Sequence, residues 1–269
     1  MRMTDLTMER NLLYNVSGAE QRLQRLQDMA SSGKVFQRPQ DDPVGVERAV
    51  ALRDHAAKNN VYLRNLDKAK AWLENTEQAL SELTTVLNRA KEIGMEGTNG
   101  TTPPDARVAI ASEVHQLWEE VGNIANRQIE GRLIIQGTMP TWRVAPATEI
   151  TSEDLTALLG DIKDRLSELE SGLKDPSMID PKAVLDDLDR LTDAVLAQRA
   201  ANGARVNRVE TLVSKMTDLD IEFQRQLSNL EDADITEVIV RLRSAEAAYQ
   251  AALGAGAKLI QPSLLDYLR

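Results

Sequence analysis

Residues 66–90 read LDKAKAWLENTEQALSELTTVLNRA, and leucine returns at every seventh position of the stretch, as Leu66, Leu73, Leu80 and Leu87. Ala69, Thr76, Leu83 and Ala90 fill the companion positions three residues on. A seven-residue repeat keeps one narrow apolar stripe on one face of a helix, which is the spacing of a coiled-coil seam. Asp42-Pro43 marks where that helix begins, because the carboxylate can cap free amides and proline at the first helical position lacks only an N–H that would have no partner. The helix is expected to end between Gly94 and Gly100, where Gly97, Asn99 and Gly100 supply turn residues. At about 1.5 Å per residue it would be on the order of 75 Å long. A compact globule does not accommodate such a length.

The pattern continues on the C-terminal side. Thr102-Pro103-Pro104-Asp105 reads as a cap, a proline in the first turn and an acidic third residue, followed by the seam Ile110, Val114, Leu117, Val121 and Ile124. This second helix is expected to lie antiparallel to the first. The β-branched run from Arg132 to Thr138 predicts a short strand, in a hairpin with Arg143-Val144. A third helix should follow a cap at Thr151 or Ser152, with the seam Leu155, Leu159, Ile162, Leu166, Leu169 and Leu173. After the breaker between Asp175 and Pro181, a fourth runs to about Asn229, with Gly203 an interior blemish costing roughly 1 kcal/mol relative to alanine.

Asp234-Ile235-Thr236-Glu237 has the form of a capping box for a last helix, whose seam is Ile235, Val238, Leu242, Ala245, Tyr249 and Ala252. The Gly-Ala-Gly-Ala stretch between Leu253 and Lys258 holds a solitary helix poorly. Residues 1–33 are amphipathic through Leu12, Leu13, Val16, Leu23, Leu26 and Met29. Two marginal terminal helices predict arms that order when paired. The fold class is therefore all-α: an elongated antiparallel bundle of long helices with coiled-coil-like seams, paired N- and C-terminal arms and at most one short β-hairpin. The expected organisation is an N-terminal arm over 1–40, a helical core over 41–230 with a short strand and loop insert at 132–150, and a C-terminal arm over 231–269.

Composition narrows the function. Aromatic residues make up only 3% of the chain, so burial falls to Leu, Val, Ile and Ala in narrow helix seams. A net charge of -10 with no basic run argues against nucleic acid as a partner. No apolar run is long enough for membrane insertion as a helix. With no cysteine, thiolate chemistry and disulfides are excluded. The first residues lack the apolar core of a cleaved secretory signal, so the chain either stays in the cytoplasm or leaves by another route.

Asp41, Asp42 and the Glu231-Asp232-Ala233-Asp234 cluster each precede a predicted helix and lack calcium-loop spacing, so they read as helix caps and turns. The two histidines, His55 and His115, have no Glu-x-x-His partner, and no nucleophile elbow or phosphate loop exists. Trp72, Trp118 and Trp142 read as seam fillers and a loop anchor. No catalytic residue, cofactor site or metal site is expected, and the chain is not read as an enzyme.

Further motifs stand in a fixed order along the chain: Ser32-Gly33-Lys34, Arg38-Pro39-Gln40-Asp41-Asp42-Pro43, Leu87-Asn88-Arg89-Ala90, Gly131 to Thr138, Gly203 to Val209, Glu231 to Asp234 and the ending Leu265-Asp266-Tyr267. Their order resembles that of the bacterial flagellin superfamily across nearly the whole chain. Pro43 after the paired aspartates is more similar to the hook-filament junction proteins of that superfamily than to the flagellins, which usually have alanine there. Where members commonly insert a β-rich outer domain, this chain has only Met139 to Ile150.

The resemblance implies a structural, self-assembling, secreted subunit of the flagellum, exported by the flagellar type III apparatus. Such a subunit would form a ring with itself at the hook-filament junction, between a hook-side junction protein and flagellin. It also implies an export chaperone at the C-terminal arm, for which Ile235, Val238, Leu242, Ala245, Tyr249 and Ala252 form the candidate assembly or chaperone face. Flagellin itself, and an unrelated cytoplasmic coiled-coil adaptor, are the alternatives.

Limited proteolysis of the free chain is expected to trim both ends to a stable core near residues 40–230. Ends as resistant as the centre would count against marginal arms.

Overall fold

The structure, a computed structural model, describes residues 2–260 apart from Gln37, Thr138, Pro176, Met178 and Ile179. Among the described residues there are six helices, with four short strands together between the third and the fourth. They are α1 (Arg2–Ser32), α2 (Pro43–Thr98), α3 (Pro104–Ala125), β1 (Gln128–Ile129), β2 (Arg132–Leu133), β3 (Thr141–Ala145), β4 (Thr148–Thr151), α4 (Thr156–Lys174), α5 (Pro181–Glu231) and α6 (Ile235–Ile260). The fold is all-α, as the periodicity predicts. The chain forms two compact units, one of residues 58–220 and one of residues 1–57 with 221–269. The ending Leu265-Asp266-Tyr267 lies outside the described residues.

In the unit of residues 58–220, the heptad leucines of α2 are all fully buried, and Ala69, Leu83 and Ala90 lie beside them. Thr76 is the polar member of the stripe, and its hydroxyl donates to the Trp72 carbonyl of its own helix at 3.0 Å, so no partner is needed across the seam. One core cluster joins Leu80 to Ile93 of α2 with Val114, Val121 and Ile124 of α3, Leu159 to Leu173 of α4, and Val184, Leu188 and Val195 of α5. α2 ends at Thr98, within the interval expected for its end, and Gly94 and Gly97 lie inside it. A Cβ at Gly94 would sit 2.7 Å from Leu185 Cδ2, and one at Gly97 would sit 2.5 Å from Leu173 Cδ2. They admit neighbouring side chains against the helix rather than end it.

The starts of α3 and α4 differ from the expected caps. Thr102 donates its hydroxyl to the Glu96 carbonyl at 2.8 Å and so closes the α2–α3 turn. The N-cap of α3 is Pro103, with no side-chain cap. α4 starts at Thr156, because Thr151 is the last residue of β4 and pairs with Thr141. Asp154 accepts from the Thr156 amide at 2.9 Å in its place.

The strands also pair otherwise than the sequence suggested. β2 pairs with β1 across Glu130 and Gly131, whose φ values of 51° and 76° are those of a two-residue primed hairpin turn. Ile134 and Ile135 leave the ladder and enter the helical core, fully buried. Arg143 pairs with Glu149, not with residues 132–138, and the β3–β4 hairpin carries an irregularity between Arg143 and Ala145. Val144 and Ile150 then complete a second cluster with Leu66, Leu73, Val209 and Met216. Trp142 of β3 lies against Trp72 of α2 with ring centroids 5.9 Å apart.

Replacing Leu80 by alanine should cost about 2–5 kcal/mol of stability, the range for a buried leucine in a core that cannot collapse. Val108→Ala, on an exposed position of α3, should change stability by less than about 0.5 kcal/mol. Equilibrium urea unfolding compares the two, and equal effects would contradict the burial described.

Candidate assembly surface

The unit that holds both ends of the chain is built on two turns that face each other. α1 ends at Ser32 because Gly33 takes φ 70°, a left-handed conformation that any side chain would strain, while its amide donates to the Met29 carbonyl at 2.9 Å. α5 ends at Glu231, and only Asp232, Ala233 and Asp234 separate it from α6. The Val35 amide donates to the Glu231 carbonyl at 2.7 Å, the Ala233 amide donates to the Gly33 carbonyl at 2.8 Å, and Lys34 and Asp232 form an isolated antiparallel bridge.

Glu231 is the electrostatic centre of this joint. Its side chain is only 4% exposed, with Lys34 Nζ at 2.9 Å and the Arg53 guanidinium at 2.7 Å. Both cations direct hydrogen bonds to Oε2, and Arg53 Nη2 also lies 2.7 Å from Oε1. A carboxylate this buried is tolerable only when paired, so the joint depends on the two cations being present together.

Of the acidic residues singled out in the sequence, Asp41, Asp42 and Asp234 bind main-chain amides. Asp42 Oδ1 accepts from the Gly45 amide at 2.9 Å, and Pro43 is the first residue of α2. Asp41 Oδ2 accepts from the Arg38 amide at 3.1 Å and closes the preceding turn. Asp234 Oδ1 accepts from the amides of Thr236 at 2.9 Å and Glu237 at 3.2 Å. The Glu237 carboxylate does not reach back in a reciprocal capping box; it pairs with Arg241 one turn on. The attraction of an i,i+4 guanidinium explains that choice.

From this joint α1 and α6 run antiparallel. The ends of the pair are marked by the Lys34–Asp232 bridge and by Leu12, whose Cδ2 would lie 3.0 Å from a Cβ at Gly256. Of the face expected for assembly, Val238 is buried, Leu242, Ala245, Tyr249 and Ala252 are half-buried, and Ile235 is exposed. Their helical spacing, continued by the buried Gly256, makes this the inward stripe of α6, with α1 its principal partner.

A different apolar set is open to solvent. Tyr14 is 79% exposed and Val240 65%, and Leu13, Ile235, Ile239 and Leu253 are exposed as well. A groove of about 610 Å³ is lined by Ala19, Leu26, Met29, Ala245 and Ala248 together with Arg22, Arg25 and Arg241. Leu13 and Ile235 belong to the apolar stripes that the sequence predicts, whereas single-stripe periodicity misses Tyr14, Ile239, Val240 and Leu253. The signal that could have found them is Val238-Ile239-Val240, three consecutive apolar residues that no single helical stripe can hold. Two helices joined by one seam bury little, and an apolar outer face of this kind is what remains for intermolecular packing.

Glu231→Ala should loosen the joint without disturbing the unit of residues 58–220. Losing hydrogen bonds to a charged group corresponds to opening roughly tenfold to a hundredfold more often. Amide exchange at Val35 and Ala233, read against Leu87, measures this. Unchanged exchange at the two turn amides would show that the main-chain bridge holds without the carboxylate.

Comparison with known proteins gives the same two ends. The family model for the bacterial flagellin N-terminal helical region matches residues 4–139, and the model for the C-terminal helical region matches residues 185–268. The flagellar hook-associated protein 3 of Escherichia coli is 24% identical, with 93% of this chain and 96% of that protein covered. A flagellin of Halalkalibacterium halodurans is also 24% identical, with 86% and 84% covered. The crystal structure of Bacillus cereus FlgL, 18% identical, superposes with a TM-score of 0.59 over 66% of this chain and 99% of its own. β3, β4 and α4 lie in the sequence interval between the two matched regions. With both terminal helical regions matched and their pairing present in the structure, this chain belongs to the bacterial flagellin family.

Proposed function

We propose that the chain is the structural subunit that joins hook to filament in the bacterial flagellum. Family membership makes it a flagellar component that works by assembling into a larger structure. The narrower role is supported chiefly by its near end-to-end likeness to a hook-associated protein 3, with 93% of this chain and 96% of that protein covered. Asp41-Asp42-Pro43 at the start of α2 favours the same reading. The physical counterpart is the terminal unit, where residues 1–40 and 231–269 supply two helices with one intrachain seam and an exposed apolar outer set.

In this proposal the terminal helices pack with those of neighbouring copies in a ring, and head-to-tail contacts present one surface to a hook-side protein and another to flagellin. The subunit leaves the cell unfolded through the flagellar export channel. An export chaperone holds α6 beforehand through Ile235, Val238, Leu242, Ala245, Tyr249 and Ala252. Because that stripe is the one α6 turns toward α1, chaperone binding and arm pairing exclude one another. The second reading, flagellin itself, is favoured by the 24% identity to a flagellin over 86% of this chain.

Electron microscopy of cells lacking the gene, with an assay for flagellin in the medium, separates the two. The junction role predicts bare hooks and unpolymerised flagellin released outside. Bare hooks with no flagellin released would assign the chain to the filament, and normal filaments in a strain with no second copy of the gene would overturn both.

A further inference from the structure

Two seven-residue ladders face each other in the unit of residues 58–220. On α2 the rungs are 59, 66, 73, 80 and 87, and on α5 they are 188, 195, 202, 209 and 216; all ten are buried. Eight are leucine, valine or methionine. The other two are Asn59, 3% exposed, and Asn202, 2% exposed. Each amide reaches across to the main chain of the opposite ladder. Asn59 Nδ2 donates to the Met216 carbonyl at 2.8 Å, and Asn202 Nδ2 donates to the Leu73 carbonyl at 2.9 Å. From 59 to 73 along α2 is the same distance as from 216 back to 202 along α5, so one antiparallel alignment satisfies both amides.

An apolar ladder by itself does not choose that alignment. Sliding α5 by one heptad, about 10.5 Å, places leucines and valines on leucines and valines again. The bonded partners are 157 and 129 residues apart in sequence, so no short turn sets the register either. The flanking ion pairs, Arg199 with Glu77, Lys70 with Glu210 and Lys91 with Asp189, involve side chains about a quarter to three-fifths exposed, and such pairs discriminate weakly. The amides differ from all of these. A one-heptad slide breaks both bonds together and carries Asn202 to the level of Leu66 or Leu80, leaving two polar groups inside the seam to find new acceptors. Thr76 and Thr192 have no such effect, because each bonds a carbonyl of its own helix and keeps that bond in every register.

We propose that Asn59 and Asn202 form a two-point register lock, selecting one antiparallel alignment of α2 and α5 from the heptad-shifted ones while weakening the seam that holds it. Leucine has nearly the shape of asparagine and would pack the same rungs without a polar group, so the retained amides are best explained by specificity rather than strength. The lock does not depend on whether the chain is a junction subunit or a flagellin.

The chain has no cysteine, so engineered pairs report register directly. Lys70→Cys with Glu210→Cys reports the observed alignment, and Lys70→Cys with Gly203→Cys or with Thr217→Cys reports the two one-heptad slides. Each pair is placed in the full-length parent and in N59L/N202L, and treated with a short bis-maleimide at low protein concentration. The parent should cross-link only as 70–210. In N59L/N202L a shifted product should rise about tenfold over the parent background, with a urea midpoint equal to or above the parent's. Exclusive 70–210 product in the leucine variant would overturn the lock. Should the leucine variant not fold, N59A/N202A is read in the same way. Failure of both to fold would mean the amides are needed for folding itself, and would also reject the proposal.

Discussion

The seam between α2 and α5 is the constraint on which the unit of residues 58–220 is built. A seam of Leu, Val and Ala is narrow, so the helices gain stability by running long rather than by filling a wide core. The remaining elements of that unit complete it. α3 and α4 cover it around Leu80 to Ile93, with Gly94 and Gly97 letting Leu185 and Leu173 come close. The β3–β4 hairpin covers it around Leu66 and Leu73 through Val144 and Ile150. The short insert is thus a wall of the core in this unit, which explains why it keeps two buried β-branched residues and a tryptophan.

The unit that holds the chain ends follows a different economy. α1 and α6 meet along a single stripe, and the joint at their base is local: a left-handed Gly33, a one-residue bridge and a buried carboxylate held by Lys34 and Arg53. Such a joint fixes where α1 ends and α6 starts, while leaving Leu13, Tyr14, Ile239, Val240 and Leu253 without cover in the single chain. A subunit whose purpose is self-assembly needs that division, because side chains fully satisfied within one chain have nothing left to offer a neighbour.

The carboxylates illustrate how context decides between chemistry and structure. Asp42 and Asp234 look like candidate ligands when read as clusters, yet each accepts main-chain amides at a helix start, and Glu231 is bound by two cations. Helix starts leave amides without partners, and short acidic side chains are the nearest acceptors.

Period and punctuation in the sequence determined the helices. The heptad leucines, Pro43, Pro104, Pro181 and Asp234 are local signals, and a helix obeys local signals because its hydrogen bonds close within four residues. The ordered family motifs determined the kinship for the same reason, being short runs in a fixed order. What lay beyond the sequence were choices made by partners distant along the chain. Gly94 and Gly97 became contact points, Ile134 and Ile135 left a strand for the helical core, and Arg143 paired with Glu149. The turn of the Val238 to Ala252 stripe toward α1 follows the arm pairing that the sequence predicts, whereas the exposure of Ile239 and Val240 beside it does not. Each departure depends on which surface arrives opposite, and tertiary packing alone decides that.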